Sequence, residues 1–203
     1  MLKDRFFYPL ALALIAGMIW FALSRASVTK LSDACIWQNG FITQGEDLVT
    51  LTASPGTAYD YIGATPTDSA HIVAVTQIPR RDAPASAGIF AALGPDYERA
   101  FAGQKIRLTV RARQGRKNPL SEFDMGYFTA AVGDSGWRRR ALTPDWKDYV
   151  LDFTPNPPNG DPDLDYFGIW PGEEGDQETM DVEFMRIDVL SKPASASRDC
   201  PLA

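Results

Sequence analysis

The stretch Gln104–Ala112 reads QKIRLTVRA, and apolar and polar residues alternate along it. One set of alternate positions is wholly apolar: Ile106, Leu108, Val110 and Ala112. The positions between them carry Arg107, Thr109 and Arg111. An antiparallel strand with one face on the core and the other face in water has this pattern. The stretch therefore predicts an antiparallel sheet with one buried face.

The same period of two recurs in short segments on both sides, beginning with Lys147–Thr154. The other predicted strands are Leu48–Ala53, His71–Ile78, Ala87–Leu93, Phe123–Val132, Trp137–Leu142, Tyr166–Trp170 and Val182–Leu190. Turn sequences rich in Gly, Pro, Asn and Asp separate them. Beyond residue 30 only Pro95–Ala102 is predicted to be helical. Many short strands predict an all-β fold, a jelly-roll β-sandwich, rather than alternating strands and helices.

The last predicted strand contains a break in its pattern. In a regular strand Val182 and Phe184 would point to one face, and Ile187 and Val189 would point to the opposite face. One extra residue in a strand shifts the phase in this way. We therefore predict a β-bulge between Phe184 and Ile187.

An uncharged apolar run, Phe6–Leu23, precedes these strands. Its length is close to the roughly 20 residues that span a bilayer. We interpret 6–24 as a transmembrane helix or signal-anchor, with 1–5 in the cytoplasm and 25–34 as a linker. A cleaved signal peptide is the alternative, because Ser24 and Ala26 are small residues of the kind that a signal peptidase needs. Both interpretations place the following domain outside the cytoplasm, on the periplasmic side of a bacterial-type inner membrane.

The chain has two cysteines, Cys35 and Cys200. A disulfide between them would join the two ends of one domain, 35–200, and leave 201–203 as a tail. Such bonds form in oxidising compartments, which agrees with export. Two buried, unpaired thiols are the alternative. We predict the disulfide.

Charge and residue types argue against two classes of function. The formal net charge is −6, and an acidic chain repels nucleic acid. His71 is the only histidine, and the sequence places no partners for it in a catalytic triad or a metal site. Asp and Glu are numerous, but no pair stands out as that of a glycosidase. We therefore expect a non-catalytic protein.

Several segments together resemble the galactose-binding-like jelly rolls, a group that includes the carbohydrate-binding modules found beside many xylanases and glucanases. They are AGQKIRLTVRAR at 102–113, LTPDWKDY at 142–149, MDVEF at 180–184 and, more loosely, WQNGF at 37–41. The similarity runs in order over roughly residues 36–190. It implies a β-sandwich that binds a glycan, although other members of the fold are lid, linker or protein-docking modules.

Sugar recognition requires a flat aromatic face against the C–H face of the ring, with planar polar groups for the hydroxyls. The candidates are Tyr127, Trp137, Arg138, Arg140 and Trp170, which we expect on one concave sheet. Arg138 and Arg140 share a strand face and suit a carboxylate or phosphate of an anionic glycan. The alternatives are aromatic residues that fill the core and arginines on a solvated edge strand.

The resemblance also implies a structural calcium ion, since jelly rolls of this kind often hold one. Asp181 matches the ligand position on the last strand, and Glu46 and Asp47 match the opening segment loosely. Calcium takes oxygen ligands, which these side chains supply. The alternative is that these carboxylates are solvated.

Two functions from different classes fit these observations. The first is a membrane-anchored binding module that recognises a glycan or cell-envelope polysaccharide. The second is an accessory subunit of an inner-membrane complex, whose sandwich caps a membrane-protein partner. In that case Ala11, Ala13, Ala16 and Gly17 provide a small-residue face for helix packing.

Overall fold

The computed structural model describes residues 4–25, 31–83, 87–129, 133–158, 160–191 and 200. The chain divides into two compact units, Met1–Leu31 and Ser32–Ala203. Helix α1 (Asp4–Arg25) forms the first unit. Within the described ranges, no helix combines the length and the apolar character that crossing a bilayer requires. The predicted tail, 201–203, and half of the predicted linker, 26–30, lie outside the described residues.

The second unit is a sandwich of two antiparallel sheets. Sheet A contains β1 (Phe41–Gln44), β3 (Thr57–Ile62), β4 (His71–Thr76), β6 (Ile106–Gln114), β9 (Lys147–Phe153) and β11 (Thr179–Val189). Sheet B contains β2 (Thr52–Ala53), β5 (Ile89–Leu93), β7 (Glu122–Phe128), β8 (Arg138–Ala141) and β10 (Asp165–Trp170). Except for β3 to β4 and β7 to β8, successive strands alternate between the sheets. The prediction of an all-β sandwich is confirmed.

The order of strands places β6 and β10 inside their sheets. Sheet A runs β3-β4-β11-β6-β9, with β1 also paired to β11, and sheet B runs β2-β5-β10-β7-β8. The four apolar positions predicted for β6 are fully buried, so its predicted inward face is confirmed. From sheet B the core receives Phe123, Met125, Tyr127, Phe167 and Ile169.

Two short helices accompany the sheets, and only one of them was expected. Helix α3 (Pro95–Phe101) agrees with the predicted helix. Helix α2 (Asp33–Asn39) was not predicted. It begins because the Ser32 hydroxyl accepts a hydrogen bond from the Cys35 N–H (3.3 Å), and it ends at Gly40, where φ is +67°.

The predicted strand Leu48–Ala53 is mostly wrong. A 3₁₀ helix occupies Gly45–Thr50, and only the two residues of β2 remain extended. Within this helix the Thr50 hydroxyl donates to the carbonyl of Asp47 (2.7 Å). A local bond of this kind competes with pairing in a sheet.

Strand β11 has an irregularity, but its position differs from the prediction. The register with β6 shifts between Val182 and Phe184. Val182 and Met185 are therefore buried, whereas Phe184 is half-buried on the outer face. Glu183, the residue at the shift, pairs with Arg111 (2.6 Å). The expectation that Phe184 shares a face with Val182 is wrong.

Cys35, in α2, and Cys200 form the predicted disulfide, with their Cα atoms 5.2 Å apart. The bond joins positions 165 residues apart in the sequence. The first helix of the second unit is thus covalently tied to the distal end of the chain. The alternative of two unpaired thiols is excluded.

Candidate functional site

The outer face of sheet A is covered by ion pairs that link neighbouring strands. They join Arg107 to Asp152 (2.7 Å), Arg111 to Asp148 (2.8 Å) and Glu183 (2.6 Å), and Arg113 to Asp181 (2.8 Å). In each pair the arginine comes from β6 and the carboxylate from β9 or β11. These arginines and carboxylates are therefore paired with one another within the protein.

The outer face of sheet B carries aromatic side chains in addition to an ion-pair cluster centred on Asp124 of β7. Alternation along β5, β7 and β10 points Phe90, Phe128 and Tyr166 outward, and all three are half-buried. Tyr166 lies opposite Phe128 in the strand register, and its ring meets that of Phe90 edge-on, with centroids 5.1 Å apart. Trp137, just before β8, packs against Phe128 with centroids 4.6 Å apart. Side chains from four segments thus meet on one face.

These four rings line a cleft of about 670 Å³, which we call the aromatic cleft. Its lining is completed by Ser54, Ala87, Asp134 and Gly136. The volume falls within the range of about 300–1,000 Å³ that is usual for small-molecule sites. Apolar rings with a few polar groups at the rim suit a ligand that is apolar on its faces and polar at its edges.

Two paired glycines allow the walls of the aromatic cleft to approach the sheet. Gly168 of β10 lies opposite Gly126 of β7. A Cβ on Gly168 would lie 2.0 Å from the carbonyl oxygen of Ala87, and one on Gly126 would lie 2.9 Å from that of Gly136. Glycine within a strand often marks such a close backbone approach. The loops that carry Ala87 and Gly136 therefore depend on these two positions.

Hydrogen bonds fix the loop that presents the cleft tryptophan. The Ser135 hydroxyl accepts from the Tyr127 N–H (2.8 Å) and donates to the Gly136 carbonyl (2.9 Å). The carboxylate of Asp134 accepts from the Thr129 N–H (2.9 Å). The buried serine thus anchors the loop to β7, and Trp137 follows two residues later.

The predicted aromatic residues have three different locations. Trp137 lines the aromatic cleft. Trp170 lies on the same side of the sheet and meets Trp137 edge-on (6.2 Å between centroids), but it is only 1% exposed and supports the cleft from below. Tyr127 faces the core, because its neighbour Phe128 occupies the outward position on β7. The expectation that all three lie on one ligand-binding face is therefore wrong for Tyr127.

The predicted arginines do not line the aromatic cleft. Arg138 is exposed, and Arg140 donates to the Val150 carbonyl of β9 (2.9 Å), so Arg140 joins the edges of the two sheets. Arg139 points to the other side of β8 and donates to the carboxylate of Glu173. An anionic group held by Arg138 and Arg140 would thus lie away from the aromatic rings.

The predicted calcium ligands are not brought together. The buried carboxylate of Asp181 accepts from Arg113 Nε (2.8 Å) and lies 3.8 Å from His71 Nε2. Glu46 and Asp47 are exposed in the 3₁₀ helix. Among the described residues there is no group of three or more His, Cys, Asp or Glu side chains that could hold a metal ion.

Three aromatic residues of the aromatic cleft were missed: Phe90, Phe128 and Tyr166. The sequence does contain a signal for Phe90. The residues on either side of it, Ile89 and Ala91, are apolar and face the core, so Phe90 points outward. An aromatic residue at the outward position of a strand is thus a candidate ligand contact. Applying this test requires the strand boundaries.

Similarity to known proteins is found among solved structures. No family model and no curated protein matches the chain. It is similar to the C-terminal family 22 carbohydrate binding module of Clostridium thermocellum Xyn10B, at 14% identity over 77% of this chain and 96% of that chain, with a TM-score of 0.49. It is also similar to the CBM22-2 xylan-binding domain from Paenibacillus barcinonensis Xyn10C, at 11% identity over 73% and 98%, with a TM-score of 0.48. Similarity at this level does not identify a ligand.

Proposed function

We propose that the second unit is a non-catalytic glycan-binding module whose ligand occupies the aromatic cleft. The observation that carries the proposal is the meeting of Phe90, Phe128, Trp137 and Tyr166 around one open cleft. Aromatic faces pack against the apolar C–H faces of sugar rings, and polar rim groups bind the hydroxyls.

The ligand that we propose is an uncharged polysaccharide. Asp134 is the charged side chain in the described lining of the aromatic cleft, and it is exposed. A carboxylate at the rim repels the uronate or sulfate groups of an anionic glycan. Arg138 and Arg140, which would have favoured an anionic glycan, are not part of the lining.

We propose that α1 anchors this module to a bacterial-type inner membrane, with the sandwich on the periplasmic side. The supporting observation is the exposure of large apolar side chains on the helix: Tyr8, Leu12, Leu14, Ile15, Met18, Ile19, Trp20 and Phe21. Exposed apolar surface is unfavourable in water by about 25 cal/mol per Å², so a bilayer or a partner would be expected to cover it. The predicted disulfide agrees with an oxidising compartment.

The same exposed helix supports a second candidate function, an accessory subunit of an inner-membrane complex. In that case a membrane-protein partner covers part of α1. Purification of the tagged full-length protein from native membranes in mild detergent separates the candidates. A stoichiometric partner in the preparation would favour the accessory subunit, and a protein recovered alone would favour the independent module.

Binding is tested with the oxidised full-length protein in mild detergent, by affinity electrophoresis in gels that contain xylan, mixed-linkage β-glucan, glucomannan or the anionic alginate. We expect retardation by a neutral polysaccharide and none by alginate. Trp137→Ala should weaken retention about tenfold or more, equivalent to ~1.4 kcal/mol. Phe184→Ala, which removes a half-buried ring from sheet A, is the matched control and should bind like the parent. Equal losses in both variants, or equal retention, would rule out the aromatic cleft as the site.

A further inference from the structure

A carboxyl group lies buried directly behind the aromatic cleft. Asp165, the first residue of β10, is fully buried. Its Oδ2 accepts a hydrogen bond from the Tyr127 hydroxyl, whereas its Oδ1 has no hydrogen-bond partner among the described residues. A buried carboxylate needs several donors to offset its loss of water, and this one has a single donor. Burial therefore disfavours the ionised form of Asp165 relative to the neutral form.

The charged groups that face Asp165 are also acidic. Glu98, on α3, is buried, and its carboxylate accepts from the N–H of Asp163, two residues before Asp165. The negative charge of Glu98, and to a lesser extent that of Asp134, raises the pKa of Asp165 in addition to the larger effect of burial. In the described part of the chain, neither Asp165 nor Glu98 takes part in a salt bridge.

Apolar side chains of two further strands lie next to the Asp165–Tyr127 pair. On β5, Leu93 lies opposite Asp165 in the register and is fully buried. From β9, the ring of Phe153 packs against that of Tyr127, with centroids 5.7 Å apart. Ionisation of Asp165 would thus require water to enter or the start of β10 to move.

The strands that hold Asp165 and Tyr127 also carry the cleft. Tyr166 follows Asp165 on β10, Phe128 follows Tyr127 on β7, and these two cleft residues lie opposite each other. Successive side chains on a strand point to opposite faces. A backbone shift that solvates Asp165 would therefore displace Tyr166 and Phe128 together.

We propose that the protonation of Asp165 controls the aromatic cleft, so that the cleft binds its glycan when this carboxyl is neutral and loses affinity when it ionises. The inference rests on the proposed function, because it regulates the same site. Neutral Asp165 keeps the start of β10 packed and the opposed rings in place. Ionised Asp165 is repelled by Glu98 and draws the strand towards water.

The pKa of Asp165 sets the pH range in which the affinity for the glycan should change. Burial is the main cause that raises this pKa to about 6, and the Tyr127 hydrogen bond opposes the rise. If only the neutral form is competent, the apparent affinity falls as pH rises through this value, because a smaller fraction of the protein can bind. The dissociation constant should then increase about tenfold between pH 5 and pH 7.

The test measures xylan retention by the full-length protein from pH 5 to pH 8, together with intrinsic tryptophan fluorescence without ligand. Asp165→Asn should retain the strong binding at all pH values and should lose the fluorescence transition near pH 6. Tyr127→Phe removes the hydrogen bond that favours the ionised form, so the midpoint should move to higher pH. Asp148→Asn removes the charge of a carboxylate that is paired with Arg111 on sheet A. It is the control and should keep the parent's midpoint.

The outcomes separate this inference from the proposed function. Xylan retention of equal strength from pH 5 to pH 8 would overturn the inference and leave the binding site intact. A failure to bind xylan, β-glucan or glucomannan at any pH would overturn the proposed function. In that event the fluorescence of the ligand-free protein decides whether the inference on Asp165 stands. The absence of a pH transition that depends on Asp165 would overturn the inference as well.

Discussion

Trp137 can present a ring to the aromatic cleft because other side chains support it. Phe128 packs against one side of it, and Trp170 meets it from beneath. Trp170 is nearly inaccessible, whereas Trp137 is half-buried. The two tryptophans were predicted as equivalent ligand contacts, but their different burial gives them different roles.

We expect Trp170→Ala to lower the free energy of unfolding by about 3–5 kcal/mol, because it leaves a cavity under the cleft. Trp137→Ala removes a partly exposed ring, and its effect on stability should be about 1 kcal/mol. Urea denaturation of both variants measures the difference. Equal destabilisation by the two substitutions would contradict the distinction between the supporting and the contacting tryptophan.

At the scale of the strands, the edges of the sandwich are held by side chains as well as by pairing. Strand β8 ends sheet B and β9 ends sheet A. The Arg140 guanidinium spans the two by donating to the Val150 carbonyl. An unpaired edge is a site for association with other chains, and a charged side chain across it reduces that risk.

Arg140→Met should lower the free energy of unfolding by about 1 kcal/mol, because the guanidinium's hydrogen bonds to the carbonyls of Arg139 and Val150 are lost. It should also increase self-association, which light scattering detects, while glycan binding stays unchanged. Arg138→Met is the matched control, since the Arg138 side chain is exposed and makes no hydrogen bond with the described residues. A loss of glycan binding in Arg140→Met would show that the arginine acts at the ligand site instead.

Most of the strands that could be predicted have one strongly buried face, and the exposed edge strand β8 is an exception. In β6 every inward position is apolar, so the alternation alone identified it. Strands β3, an edge strand with little burial, and β1, with four residues, were missed. The same limit applies to the site: Tyr127 and Phe128 are adjacent aromatic residues, and only the phase of β7 shows which one reaches the cleft.

The second unit is closed covalently as well as by packing. The disulfide between Cys35 and Cys200 encloses both sheets within one loop of the chain. A cross-link restricts the unfolded chain more strongly when the loop is long. The stability of the whole sandwich should therefore depend on this one bond.

Replacement of both cysteines by serine should lower the free energy of unfolding by about 4–5 kcal/mol, because the unfolded chain regains the entropy of an open loop. Urea denaturation of the double variant, beside the oxidised parent and the reduced parent, measures the change. The reduced parent serves as the control, and it should match the double variant. An unchanged midpoint in both would mean that the closed loop adds nothing to stability.

The same bond has a mechanical consequence. If α1 is held in a membrane and the cleft is held by a polysaccharide, tension enters the sandwich at Cys35. At the sulfur bridge the load divides, because Cys35 of α2 is also bonded to Cys200. A pull then acts at two points of the chain at once and is not carried by the first strands of the sandwich alone.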